Sequence, residues 1–420
     1  MKRHIIFAFA LIVLPLPMCN AQESVETIIR KLPMCNTQES VETVIRKTRE
    51  KCQSIQEGHY VMERKMKHMD DKDTDYYRNT CDFRKLPDDT VMGKAFSMFN
   101  EPLGHPEWNR HILYTGNELV YLRDTATILS CVQWADEIKN RRGNFDFFTP
   151  LTTRSCYPVP TEKQEADSDY VFSLEETLLD GNPCYLLDIF VKVDPTPDPN
   201  FGIICLRYEM NIWIDKQNYM PLQYSVAFDN IDGPDTVYQY EECKLVAFDP
   251  KVDESKLTLE SIPDNVVQRD YVPYKAPEPL AEGTSAPDWA LPTLTGDTVR
   301  LADLKGKVVL LDFFYRSCAP CCAALPILQS IHEKYKDRGV VLIGIDPYDN
   351  PAKDEMAEFL SKRGITYTVL FSDNKLNDAY RIHGFPTLFI LDREGKIVKT
   401  HSGFSKEMGD EIEAQLLKML

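Results

Sequence analysis

Between residues 308 and 321 the chain passes from an apolar run, Val308 to Leu311, through Asp312-Phe313-Phe314-Tyr315-Arg316-Ser317, to Cys318-Ala319-Pro320-Cys321, where a helix-like segment opens. Few folds accommodate that order. The apolar run reads as a buried strand, and two cysteines separated by two residues can close a small reversible disulfide. A strand that delivers a thiol to a helix N-terminus also explains its reactivity, because unpaired backbone N–H groups and the macrodipole favour a thiolate there. Cys318 is the residue so placed.

On both sides of this stretch the chain alternates strands and helices. Strands are expected at 308–314, 340–345, 368–371, 387–391 and 397–401, the last two joined through Asp392-Arg393-Glu394-Gly395. Helices are expected at 318–336, 353–363, 374–381 and 406–420. This predicts an α/β domain with a mixed central sheet flanked by helices, over 283–420.

Upstream the period changes. Residues 39–55 form an amphipathic helix with Val41, Val44, Ile45 and Cys52 near one side. Strand-like segments follow around 59–67, 76–84, 111–123, 170–193 and 205–228, several folded on turns such as Thr115-Gly116-Asn117-Glu118 and Asp180-Gly181-Asn182-Pro183, and a last one at 237–248. One helix and then a meander of antiparallel strands makes 38–269 a β-rich α+β module. Prolines 273, 277, 279 and 287 then keep the chain extended, with a linker assigned to 270–282.

The N-terminus carries Lys2 and Arg3, an apolar run from Ile5 to Leu16 and then Cys19-Asn20-Ala21, the pattern of a secretory signal peptide over 1–21. Lipid anchoring on Cys19 is the competing reading, with the bulky Met18 before it arguing against. Residues 32–47 repeat 16–31 with changes only at Ala21/Thr37 and Ile28/Val44, so 22–37 belongs to a tandem duplication. A period of sixteen is not a whole number of helical turns, and the copy reads as a tolerated insertion. Net charge is −17, becoming −19 once Lys2 and Arg3 leave, a balance that suggests no nucleic-acid partner. Eight cysteines remain between the signal and the motif: Cys35, Cys52, Cys81, Cys131, Cys156, Cys184, Cys205 and Cys243. Four bridges or buried free thiols are both open readings.

Several short elements now combine. Gly283 with Ala286-Pro287-Asp288, Leu301 with Leu304-Lys305-Gly306-Lys307, the Cys318/Cys321 pair, Pro326, and Phe385-Pro386-Thr387 before Leu391-Asp392 resemble the exported thioredoxin-like reductases of the TlpA and ResA group. The resemblance implies a thioredoxin-like fold with Cys318 as attacking thiol and Cys321 as resolving thiol. It implies that Pro386 is a cis-proline, with Phe385 and Thr387 beside it on the substrate side. Asp312, at the end of the buried strand, would take the proton from Cys321 through a raised pKa. No cofactor or metal is implied. The partners would be disulfide-containing proteins and, in an oxidising exported or periplasmic compartment, an electron donor working across the membrane. Ala319 and Pro320 add no positive charge, which favours a low-potential reductase.

The chain also departs from that group. Ser317 stands where a Trp is usual, and Cys322 adds a third thiol. The Pro and Thr/Ser that peroxiredoxins place before their peroxidatic cysteine are Leu311 and Tyr315 here, against peroxidase chemistry. Cys318 and Cys322 are i and i+4 on a helix, and with His383 they resemble the copper site of Sco-like metallochaperones, an alternative reading. The upstream module resembles lipoprotein-carrier-like open barrels through its element order and the hairpin containing Ile212-Trp213-Ile214-Asp215-Lys216, which implies a lipid or protein ligand for it.

Overall fold

The structure, a computed structural model, describes residues 39–67, 74–140, 160, 162–192, 205–230, 237–273, 275, 278, 280–350 and 356–420. The signal peptide at 1–21, the duplicated segment at 22–37, Cys35, Cys156, Pro277 and Pro279 lie outside the described residues.

Helix α1 (Val41–Ser54) starts where Ser40, in extended backbone, accepts the N–H of Thr43 on its hydroxyl at 3.3 Å. That contact satisfies one of the donors left over at a helix start. The helix buries Val44, Ile45, Thr48 and Cys52 on one stripe. Twelve strands follow it: β1 (Glu57–Lys67), β2 (Asp75–Lys85), β3 (Lys94–Pro102), β4 (Arg110–Tyr114), β5 (Glu118–Leu122), β6 (Thr125–Ser130), β7 (Tyr170–Leu179), β8 (Asn182–Val191), β9 (Cys205–Asp215), β10 (Pro221–Asn230), β11 (Val237–Asp249) and β12 (Val267–Asp270). They form one sheet in the order β12-β6-β5-β4-β3-β2-β1-β11-β10-β9-β8-β7.

The single meander expected from the sequence is therefore two, β1–β6 and β7–β11, joined where β11 pairs antiparallel with β1. Between them the chain crosses to the far edge, passing through α2 (Cys131–Asn140) and α3 (Glu162–Ala166), which no strand-like period announces. Tyr60, Phe96 and Leu119 from one meander share an apolar cluster with Leu187 and Ile212 from the other and with Val44 and Ile45 of α1. Both wings thus reach the helix, and the sheet curls around it. Strand β3 escapes sequence reading because Lys94 through Met98 are all buried, so the in/out alternation that marks a half-buried strand is missing. At the edge, β12 is exposed throughout and is held by parallel pairing with β6.

Each end of the Pro-rich segment is docked. Tyr271 packs edge-on to Trp134 at 5.3 Å, and Leu280 joins an apolar cluster of the following domain.

After a short hairpin, β13 (Ala290–Pro292) and β14 (Thr298–Arg300), comes a five-stranded sheet in the order β17-β16-β15-β18-β19. Its strands are β15 (Val308–Phe313), β16 (Val340–Asp346), β17 (Thr368–Phe371), β18 (Thr387–Leu391) and β19 (Ile397–Ser402). The first three run parallel and the last two antiparallel, the mixed sheet expected. Val308, Leu310 and Phe314 pack under α4 (Ala319–Tyr335), α5 (Met356–Lys362) and α7 (Met408–Met419). Val309, Leu311 and Phe313 face the other way, towards α6 (Asn374–Tyr380) and Trp289.

Ile45, 1% exposed, ties α1 to the curled sheet. Ile45→Ala is expected to cost about 2–5 kcal/mol, read as a lower denaturant midpoint for the module. An unchanged midpoint would show that the sheet does not depend on the helix.

Candidate active site

Three loops meet at one edge of the five-stranded sheet, and strand register puts them there. Parallel β15 and β16 end side by side, with Phe313 opposite Ile345. Antiparallel β18 starts at the same edge, with Thr387 opposite Phe313. The loop after β15 carries Cys318, the loop after β16 carries Tyr348, and the loop before β18 carries Phe385 and Pro386.

Cys318 is the N-cap of α4 and is disulfide-bonded to Cys321, with Cα atoms 5.2 Å apart. The Cys321 N–H donates to Cys318 Sγ at 3.2 Å, and the Cys322 N–H donates to the Cys318 carbonyl at 3.0 Å. A first-turn amide without an intrahelical partner therefore points at this sulfur, where the helix dipole is positive. Cys318 is 4% exposed and Cys321 1%, so both residues are buried in the oxidised pair.

Asp312 lies on the face of β15 that α4 covers, in line with Leu310 and Phe314. It is 1% exposed, and neither carboxyl oxygen has a hydrogen-bond partner. Burial alone pushes its carboxyl up to about 7, because ionisation there is opposed by lost hydration with no cation to offset it.

Before β18, the Phe385–Pro386 peptide bond is cis, and the Thr387 hydroxyl donates to the Gly384 carbonyl at 2.7 Å. The Phe385 ring meets Tyr315 at 5.2 Å and Tyr348 at 5.5 Å, while Tyr315 and Tyr348 stand 5.4 Å apart. Three rings from three loops thus form one cluster with Tyr348 about half exposed. Sequence reading missed Tyr315 and Tyr348, since only the fold unites them. The Tyr348 loop is pinned by Asp346, whose Oδ1 accepts the N–H groups of Tyr348 and Asp349, each at 2.9 Å. Burial and the neighbouring Asp349 carboxyl push the Asp346 carboxyl up. Asp349 in turn accepts the backbone N–H of Arg316 at 2.6 Å, linking this loop to the cysteine loop.

The copper site raised by Cys318, Cys322 and His383 is not assembled. Among the described residues no three His, Cys, Asp or Glu side chains gather as a metal site, and His383 is exposed. Cys322 instead donates its thiol to the Arg316 carbonyl at 3.3 Å. Upstream, Cys52, Cys81, Cys184 and Cys243 are buried thiols outside any disulfide, and Cys131 is half-buried and likewise unbridged. Burial pushes the thiols of Cys131, Cys184 and Cys243 up, away from reactivity.

A sulfur pair closed across the first turn of a helix, on a mixed sheet of this order, places the domain among the thioredoxin-like oxidoreductases. Residues 283–400 match the family model described as AhpC/TSA family. The chain is 32% identical over 131 residues to the thiol-disulfide oxidoreductase ResA of Bacillus subtilis (strain 168), spanning 31% of this chain and 72% of that protein. It is 33% identical over 137 residues to the thioredoxin-like protein YneN of the same organism, spanning 32% and 80%. The thioredoxin domain of a thiol-disulfide oxidoreductase from Bacteroides vulgatus, a solved structure, is 26% identical, with 32% of this chain and 98% of that one covered and a TM-score of 0.30. The chain belongs to the AhpC/TSA family, and its activity is that of a thiol-disulfide oxidoreductase.

The buried carboxyl has a signature in stability. With a folded pKa of about 7 against an ordinary 3.8, Asp312 holds a proton in the folded state that the unfolded chain has already lost. Stability therefore falls as pH rises through that window, and the cost is complete above it. Asp312→Asn, neutral in both states, is expected to equal the wild type near pH 4 and to exceed it by roughly 3–5 kcal/mol at pH 8. Equal denaturation midpoints at pH 8 would contradict a carboxyl held neutral by burial.

Proposed function

We propose that this chain is an exported thiol-disulfide oxidoreductase that reduces disulfides of protein partners through Cys318 and Cys321. The observation that carries the reading is the Cys318–Cys321 disulfide at the first turn of α4, with the Cys318 sulfur accepting a backbone N–H. The same donor would favour the thiolate once the pair is reduced. The apolar run after Lys2 and Arg3 supports export, and among the described residues no helix is long and apolar enough to cross a membrane.

In the reduced protein the Cys318 thiolate attacks one sulfur of the partner's disulfide, forming a mixed disulfide and releasing a partner thiolate, which takes a proton from water. Cys321 then gives its proton to Asp312, and its thiolate attacks Cys318 Sγ. The mixed bond breaks, the second partner thiolate leaves and is protonated, and two electrons have passed from the dithiol to the partner. An oxidising compartment does not restore the dithiol, so the electrons come from a donor working across the membrane.

Ser317 offers no ring beside Cys318, so the apolar shelf for the partner chain is Tyr315, Tyr348 and Phe385. None of the residues assigned to electron transfer comes from the upstream module. A groove of about 290 Å³ beside α1, lined by Lys51, Met220, Leu222, Leu245 and Phe248 among others, is where its lipid or protein ligand would sit.

Cys321→Ser is expected to accumulate mixed disulfides with partner proteins through Cys318, and Cys318→Ser to trap none. No trapped protein, combined with no reduction of insulin by the wild type, would remove the reading. Tyr348→Ala is expected to lower kcat/KM for a protein disulfide about tenfold, the upper end of what one aromatic contact contributes, while leaving reduction of free cystine unchanged. An equal loss on cystine would instead point to damage at the cysteines.

A further inference from the structure

Tyr367 stands immediately before β17 and is buried in the same apolar cluster as Cys318 and Cys321. Its hydroxyl has no hydrogen-bond partner among the described residues, and the same is true of both oxygens of Asp312. A buried polar group left alone costs about 1–3 kcal/mol, and such groups are as a rule paired or bridged by an ordered water.

Register shows that these two share one space. Asp312 lies opposite Gly344 on β16, and Gly344 lies opposite Val369 on β17. A Cβ at Gly344 would come within 2.8 Å of Phe314 Cε1 and 3.3 Å of Tyr367 Cε2. Gly344 sits inside a strand, so the missing side chain serves as room, and the Tyr367 ring lies across it. Paired residues of adjacent strands face the same side, and Phe314, two residues after Asp312, fills the same space. The Tyr367 ring and the Asp312 carboxyl therefore occupy one layer beneath α4. Burial first, then the Asp312 carboxyl and then Cys322, push the Tyr367 hydroxyl far up, so it stays a donor at any working pH.

We propose that Tyr367 is a positioning residue of the redox site, its hydroxyl donating through one buried water to the Asp312 carboxyl and aiming that carboxyl at Cys321. This rests on the reading of Asp312 as the group that accepts the Cys321 proton. Asp312 gains that proton as the Cys321 thiolate attacks and loses it to water or to the departing thiolate afterwards, while Tyr367 keeps its own proton throughout. Other groups border this layer. From α4 come Cys322 and His332, the latter edge-on to Tyr367 at 6.0 Å. Asp346 is two residues along β16 from Gly344. Across Leu388 lies His401, paired with Glu411 at 3.2 Å.

A donor to the ionised carboxyl favours ionisation, so removing it must raise the pKa of Asp312 further. Tyr367→Phe keeps the ring and deletes only the donor. In the oxidised full-length chain carrying carboxyl-labelled aspartate, with the Asp312 signal identified by its loss in Asp312→Asn, the titration midpoint is expected about one pH unit higher in Tyr367→Phe than in the wild type. The pH profile of kcat/KM for insulin reduction should move the same way, and Tyr367→Phe should leave the profile of Asp312→Asn where it was. An unchanged Asp312 titration in Tyr367→Phe, or an equal profile shift in the Asp312→Asn background, would overturn the proposal. If the titration moves while the wild type reduces no disulfide, the hydroxyl–carboxyl pair stands and the oxidoreductase reading falls.

Discussion

Strand β15 has no solvent-facing side: all six of its residues are buried, alternately under the α4 layer and under the α6 layer. Its register against β16 on one edge and β18 on the other therefore has a single acceptable value, since a slip of one residue would turn every side chain to the wrong layer. Asp312 is the only ionisable group in that strand, and the same slip would carry it away from the helix that holds Cys321. The three loops of the site inherit their meeting point from the same register. Cys318 leaves the end of β15, Tyr348 the end of β16, and Pro386 the approach to β18.

What the sequence made legible is what depends on short spacing. The strand-to-cysteine-to-helix passage, the proline loop and the α/β alternation all lie within windows of a few residues, where hydrophobic period and turn chemistry act directly. Asp312 could be placed at the end of a buried run, but the lack of any counter-charge around it depends on β16, β17 and β18 and is visible only in the fold. Gly344 reads as an ordinary strand glycine until Tyr367, more than twenty residues later, is found lying over it. The aromatic cluster of Tyr315, Tyr348 and Phe385 spans seventy residues of sequence. The two-meander sheet upstream was hidden for a related reason, because nothing local tells β11 that its partner is β1 rather than a later strand. The copper reading shows the converse limit: an i, i+4 pair of thiols is a local fact, but the third ligand it requires is a matter of loop placement, and among the described residues, with Cys318 in its disulfide, no such group of three is gathered.

The distribution of charge bears on how partners would be chosen. Residues 283–420 hold 17 basic and 19 acidic side chains, whereas the whole chain carries −17, so nearly all of the excess lies outside the domain with the dithiol. A nearly neutral domain exerts little long-range pull on a charged partner. Selection on the proposed reading then falls to contacts made at the sulfur pair itself. There Ser317 contributes no ring, and the half-exposed Tyr348 is held by Phe385 and Tyr315 and by its backbone N–H donating to Asp346, which also accepts the N–H of Asp349. Asp346 is fully buried, so the loop that presents Tyr348 is anchored to the end of β16. Aromatic rings fixed in this way offer contact area with little ordering cost, because two torsions per ring are already set. On the proposed reading, recognition rests with these three rings and proton handling with Asp312 and Tyr367 beneath α4. On the same reading the partner-facing rings sit on loops and the proton acceptor on a buried strand, so that surface can vary without disturbing the carboxyl.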